Sequence, residues 1–153
     1  MQGYTSLLKY NTYRIDSYAK YVYFPTTEVE VLAIVKKHDN VFFLGNGSNV
    51  IFSKERYDDE IAFIVFSDNF ASFTINENLV EAQSGALLQN LALATYQQSL
   101  SGIETFYDVP ASVGGALIMN AGAYGDEIYN NVKSVRVLDV ARQEIIEYQK
   151  SEI

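Results

Sequence analysis

Val41-Phe42-Phe43-Leu44-Gly45-Asn46-Gly47-Ser48-Asn49-Val50 is the stretch on which the fold turns. Four apolar residues in a row, without alternation, predict a strand buried on both faces. Two glycines and two asparagines follow at once. Both residue types accept positive φ, so successive amide N–H groups can point into one concavity. Such a nest binds an anion without any lysine. The Ser48 hydroxyl and the Asn49 side chain can add donors. No Gly-Lys-Ser/Thr follows, so the loop is not a Walker loop, and the third glycine of the dinucleotide fingerprint is missing. A turn between two strands is the competing reading, because Asn-Gly is a strong hairpin signal.

Outward from this loop, the N-terminal side reads as strand and helix. Tyr21-Val22-Tyr23-Phe24 is a β-rich run ended by Pro25. Thr27 and Glu30 have capping-box spacing, and Val31, Leu32, Ile34 and Val35 supply a helical apolar stripe. With the strand at Val41–Leu44 this makes a small α/β unit. The first ten residues read as a loosely held lead-in. On the C-terminal side, Ile61 to Phe66 predicts another buried strand. Phe73–Ile75 and Leu79–Ala82 predict a hairpin around Asn76-Glu77-Asn78. Leu87, Leu88, Leu91 and Ala94 or Thr95 have helical spacing, with Gly102 just past the expected end. Val132 to Val140 and Glu144 to Tyr148 predict two last strands. The α/β unit gives way to hairpins near Ser67 to Asn69.

Composition bounds the function. The chain has 153 residues, with 11 Lys+Arg against 19 Asp+Glu and a net charge of −8. That is long enough to bury about two-thirds of the unfolded surface. An acidic balance argues against nucleic acid, whose phosphates need a basic face, and against docking on an anionic membrane. With 0 Cys, disulfides and thiolate zinc sites are excluded. Met1-Gln2-Gly3-Tyr4-Thr5 lacks the apolar core of a signal peptide. The expectation is a soluble, cytoplasmic protein.

A second stretch is rich in small residues: Val109-Pro110-Ala111-Ser112-Val113-Gly114-Gly115-Ala116, then Leu117-Ile118-Met119-Asn120-Ala121-Gly122-Ala123-Tyr124-Gly125. Side chains this small let the backbone lie against a planar ligand. They equally suit a tightly packed helix, and both readings stand on composition. Asn120 interrupts an apolar run and needs a partner if buried. His38, the single histidine, is expected to end a helix facing water, and no metal site can be built around it. Asp58-Asp59-Glu60 reads as a solvated turn before a strand. Tyr10, Tyr13, Tyr18, Tyr21 and Tyr23 suggest a stacking surface, but without a basic face to hold phosphates they read as core and edge packing. No nucleophile–base pair can be assembled.

Five blocks in register carry a family resemblance: Asn11-Thr12-Tyr13, Leu44-Gly45-Asn46-Gly47-Ser48-Asn49, Gly102-Ile103-Glu104, Val109-Pro110-Ala111-Ser112-Val113-Gly114-Gly115, and Asn120-Ala121-Gly122-Ala123-Tyr124-Gly125. From about Asn11 onward the chain resembles the UDP-N-acetylenolpyruvoylglucosamine reductases (MurB). The resemblance implies an α+β fold, the FAD-binding module of the p-cresol methylhydroxylase type. Its expected parts are a lead-in at 1–10, a small α/β subdomain at 11–67, and an incomplete second α+β subdomain at 68–153. It implies reduction of the enolpyruvyl group of a UDP-sugar to a lactyl ether for peptidoglycan, with FAD as cofactor and NADPH as reductant. Gly45, Asn46, Gly47, Ser48 and Asn49, continued by Val50, are then expected on the FAD pyrophosphate. Pro110, Ala111, Ser112, Val113, Gly114 and Gly115 are expected along the isoalloxazine and ribityl portion. Asn120, Gly122 and Ala123 are expected to finish the cleft.

Two departures accompany the resemblance. The family often has glycine where Ala111 stands, which one methyl satisfies if the local φ is negative. Members also run about twice as long, with a substrate domain, a Tyr-Arg pair, a proton-donating serine and a late glutamate. None has a counterpart in this sequence, so no catalytic residue is assigned, and the chain by itself is expected to bind FAD weakly and to reduce nothing. An FAD oxidase of the same fold and a non-catalytic nucleotide-binding module are the alternatives.

Overall fold

The computed structural model describes residues 3–153; Met1 and Gln2, the start of the expected lead-in, lie outside the described residues. Strand β1 (Thr5–Ser6) pairs antiparallel with β2 (Tyr18–Tyr23). Helix α1 (Glu28–Lys37) follows, then β3 (Val41–Leu44) and β4 (Arg56–Val65). The sheet order is β1-β2-β4-β3, and β4 runs parallel to both β2 and β3. Beyond it come the hairpin β5 (Phe73–Asn76) and β6 (Leu79–Ala82), helix α2 (Leu88–Gln97) and the short helix α3 (Val113–Met119). A tight hairpin of β7 (Gly122–Ala123) and β8 (Asp126–Glu127) and a longer one of β9 (Ser134–Asp139) and β10 (Glu144–Gln149) complete the chain.

Local signals account for α1. Thr27 is its N-cap, and its hydroxyl accepts from the Glu30 amide at 3.2 Å. Such a cap contributes about 1 kcal/mol. The reciprocal half of the capping box is displaced by one residue, since the Glu30 carboxylate accepts from the Thr26 amide at 2.6 Å. That contact holds the Glu30 carboxyl below its usual pKa range. Val31 and Val35 point inward, one turn apart.

Parallel pairing overturns two expectations about the sheet. In β4, Ala62, Phe63, Ile64 and Val65 are all buried, as a central strand requires. In β3 only Leu44 is buried and Phe43 is exposed, because β3 is the sheet edge and not its centre. The Asp58-Asp59-Glu60 run is not a turn. It lies within β4, in a register shift of the β2–β4 ladder between the pairs Ala19↔Tyr57 and Tyr21↔Ala62. Lys20 pairs with Asp59 at 2.6 Å and Lys54 with Glu60 at 3.0 Å. These exposed pairs offset like-charge crowding and contribute little net stability.

Two separate buried clusters organise the chain. Leu7, Ala19, Leu44, Phe52, Phe63 and Val65 form one, and Leu88, Phe106, Ala116 and Ile128 form the other. Burying an aromatic such as Phe63 or Phe106 stabilises by about 1.5–3 kcal/mol. The expected loose lead-in is corrected here: Leu7 is fully buried in the first cluster and Tyr10 packs on it. His38 is corrected too. It is half-buried between Tyr21 and Tyr23, and its Nε2 lies 2.8 Å from the Tyr23 hydroxyl. The tyrosines supply an apolar slot that sequence spacing does not reveal.

Candidate functional site

The 45–50 loop leaves the C-terminal end of β3. A hairpin is impossible there, because the neighbouring strand β4 is parallel and the chain must travel back along the sheet before entering it. Gly47 is buried with φ +64°. An added Cβ would lie 2.1 Å from the Tyr10 carbonyl oxygen. Only glycine meets both the dihedral and the close approach.

The second small-residue stretch folds onto this loop. A Cβ on Gly45 would strike the Ser112 hydroxyl oxygen at 2.2 Å, so the Gly45 backbone lies directly against the Ser112 side chain. The Asn46 side chain donates to the Pro110 carbonyl at 2.8 Å, across 64 residues of sequence. Asn46 is therefore a clamp between the loops. Ser112 is buried and caps α3, its hydroxyl accepting from the Gly115 amide at 3.3 Å. The amides of Val113 and Gly114 donate to the carbonyls of Ala86 and Ser84, both at 2.8 Å. The Leu88 amide donates to Ala111 at 3.0 Å. These bonds pin the second loop to the segment entering α2. Ala111 is absent from the positive-φ residues, so its methyl meets the condition set for it.

The structure brings Gly45 against Ser112 and Asn46 against Pro110, with Ala111 between them, and Gly47, Ser48, Asn49 and Val50 continue the first loop. Val113, Gly114 and Gly115 form the first turn of α3. Asn120, Gly122 and Ala123 sit at the other end of α3, about 10 Å along its axis. Asn120 is exposed, in the left-handed conformation at φ 43°, and donates to Glu127 at 2.7 Å. Its side chain thus closes the β7–β8 hairpin and does not face the two loops. The middle of the small-residue stretch is a helix with Ala116 buried, and its start is a loop.

Electrostatically the site is neutral. No charged residue occurs in 44–50 or in 109–119. Among the described residues, no protein group accepts from the amides of Gly45, Asn46, Gly47, Ser48 or Asn49. A row of unengaged amides beside a left-handed glycine is a donor set for one compact anion, such as a phosphate or diphosphate. The neighbouring carboxylates are Asp108, just before the second loop, and Asp126 and Glu127 of the hairpin. The Asn130 side chain and the Glu127 amide hold the Asp126 carboxyl below its usual range. Among the described residues no group of three His, Cys, Asp or Glu could hold a metal ion, and no helix is long and apolar enough to cross a membrane.

Sequence reasoning gave no role to Asn11 and Thr12, although their block contributes to the resemblance. Thr12 donates to the Gly47 carbonyl, through its amide at 3.2 Å and its hydroxyl at 3.4 Å. Their partner lies 35 residues away, and no local pattern announces it.

Comparison with known proteins agrees with this geometry. The profile of a family described as "FAD binding domain" matches residues 19–149. The chain is 65% identical over 153 residues to the UDP-N-acetylenolpyruvoylglucosamine reductase of Francisella tularensis, covering 100% of this chain and 54% of that protein. The crystal structure of MurB from Thermus caldophilus superposes with a TM-score of 0.79 at 25% identity, over 97% of this chain and 52% of that one. A solvent-stable cholesterol oxidase superposes with a TM-score of 0.70 at 18% identity, over 95% of this chain and 32% of that one, a likeness of fold alone. The chain spans about half the length of the curated relatives it matches.

Proposed function

The chain belongs to the FAD-binding domain family, and on that premise we propose that it is the FAD-binding part of an NADPH-dependent UDP-N-acetylenolpyruvoylglucosamine reductase. The observation that carries this reading is the closure of two charge-free loops on each other, with the amides of residues 45–49 left without a protein acceptor. The residues fit the cofactor on the chemistry of that donor set. Neutral amides suit one diphosphate, and the glycines leave no Cβ in its way. Two buried clusters support a division into subdomains near residue 67.

In this reading the 45–49 amides hold the diphosphate, with Val50 closing the loop. Asn46 fixes the distance between the loops. Pro110 to Gly115 present a flat backbone wall to the flavin, with Gly115 exposed and free of side chain. Asn120, Gly122 and Ala123 bound the cleft through the backbone of their hairpin, the Asn120 amide being engaged with Glu127. The bound flavin supplies hydride transfer between NADPH and the enolpyruvyl group of the UDP-sugar. No residue of the chain is given the proton-donating role. The reading carries with it a cytoplasmic location and a part in peptidoglycan synthesis.

The test is made on the full-length gene product. It should take up FAD with a bound-flavin absorption spectrum. After reduction by NADPH, UDP-N-acetylenolpyruvoylglucosamine should reoxidise it in a stopped-flow trace. A protein that takes up no FAD refutes the reading. A reduced protein that reacts with oxygen and not with the UDP-sugar makes it an oxidase of the same fold.

A further inference from the structure

We infer that the segment Leu7–Ile15 backs the 45–49 loop on the side away from the diphosphate, and that Asn11 and Thr12 are positioning residues that aim the Ser48 amide at the diphosphate. This inference rests on the FAD reading above and assigns a task to a segment that reading leaves without one.

The segment is built to hold a shape. Leu7 is fully buried, and its amide donates to the Ser17 carbonyl at 2.7 Å. Tyr10 packs against Phe24, with ring centroids 5.2 Å apart. Between them the chain turns, and Asn11 closes the turn from inside. Asn11 is 3% exposed. Its Nδ2 donates to the Leu7 carbonyl at 2.9 Å and to the Ile15 carbonyl at 3.0 Å, and its Oδ1 accepts from the Ile15 amide at 2.9 Å. A buried asparagine with both ends of its amide engaged sets one geometry and resists others.

That geometry is delivered to one peptide bond. Thr12 grips the Gly47 carbonyl with its amide and its hydroxyl. The Tyr10 carbonyl and the Asn11 Cα lie so close that no side chain fits on Gly47. A trans peptide is planar, with C=O and N–H pointing opposite ways. Once Thr12 holds the Gly47 carbonyl toward the 7–15 segment, the Ser48 N–H points away from it. That N–H has no acceptor among the described residues. A peptide flip at this position would turn the carbonyl oxygen toward the anion in place of the donor. Thr12 prevents the flip, and Asn11 holds Thr12 in place.

The test uses Asn11→Ala, Thr12→Val and Thr12→Ser in the full-length protein, with FAD as the probe. Three readouts are taken: the FAD dissociation constant, the 31P resonances of bound FAD, and its visible absorption spectrum. Removing the buried amide should raise the dissociation constant about tenfold, and removing the Thr12 hydroxyl about threefold, with Thr12→Ser restoring binding to within about twofold. In both weakened variants the 31P resonances should move while the flavin absorption bands stay in place. Should Asn11→Ala fail to fold, the Thr12→Val and Thr12→Ser pair decides alone. Unchanged affinity and unchanged 31P resonances overturn the inference. So does a flavin spectrum that shifts along with the 31P signals, which marks general loosening of the fold. A wild-type protein that binds no FAD overturns the FAD reading itself, a different result from a wild type that binds and variants that are indifferent.

Discussion

Replacing Gly47 by alanine should destabilise the protein far more than the same change at Gly125. Both glycines have positive φ, +64° and +88°. Each substitution therefore carries the left-handed penalty of an L-residue, about 1–2 kcal/mol. Gly125 has nothing within 4 Å of an added Cβ, so the penalty ends there. At Gly47 the new Cβ would meet Tyr10 O at 2.1 Å, Asn11 Cα at 2.7 Å and Tyr10 C at 2.9 Å. All three are backbone atoms and cannot swing aside, so the Tyr10–Thr12 segment must move. Overpacking of this kind adds about 1–3 kcal/mol. The total at Gly47 is then about 2–5 kcal/mol against about 1–2 at Gly125. With a urea slope of about 2 kcal/mol/M, the unfolding midpoint should fall by about 1–2.5 M for Gly47→Ala and by about 0.5–1 M for Gly125→Ala. Urea titrations of the two variants and wild type, followed by tyrosine fluorescence, measure the difference. Equal midpoints for the two variants would refute the packing of residues 10–12 on Gly47, and with it the support behind the 45–49 loop.

Three further outcomes are expected. Asn46→Ala removes the bond to the Pro110 carbonyl and should weaken FAD binding about fivefold, close to 1 kcal/mol, as read from quenching of flavin fluorescence. Phe106→Ala empties the centre of the second buried cluster and should lower stability by about 3–5 kcal/mol in denaturant titration. Asp126 has a folded pKa depressed below 3.8, chiefly by the Asn130 side chain. Its contribution is therefore fully present above pH 3.8 and is lost as pH falls through the folded value. Asp126→Asn should flatten the acid limb of the stability curve by lowering stability at neutral pH while leaving it little changed below the folded value; an unaltered acid limb would count against the bond.

Helix α1 was legible because its determinants are local. A threonine cap, an acidic first turn, basic last-turn residues and an inward valine stripe all lie within a few residues of one another. The strand at Ile61–Phe66 was legible for the same reason, but its length was not. Asp58 to Glu60 carry charges that read as a turn, and they became strand because β2 pairs on either side of them, at Tyr57 and at Ala62, and Lys20 and Lys54 lie beside them. The candidate site divides in the same way. Glycine and asparagine in the 45–49 loop left an anion nest and a turn between strands both open. The engagement of Asn46 with Pro110 and of Asn120 with Glu127 appears only once the chain has closed.

The sequence by itself determined the chemistry available to this protein. It has no cysteine, one histidine and an acidic balance, with two uncharged small-residue loops whose polar groups are largely those of the backbone. Tertiary structure alone decided where those amides point. The neighbour of β3 is parallel, so the 45–50 loop cannot close as a hairpin and lies open beside Ser112. Asn11 and Thr12, 35 residues from Gly47 along the chain for Thr12, fix the orientation of the peptide bond after Gly47. A hydrogen bond between residues so distant leaves no periodicity or composition bias in the sequence, because it depends on the path of the chain between them.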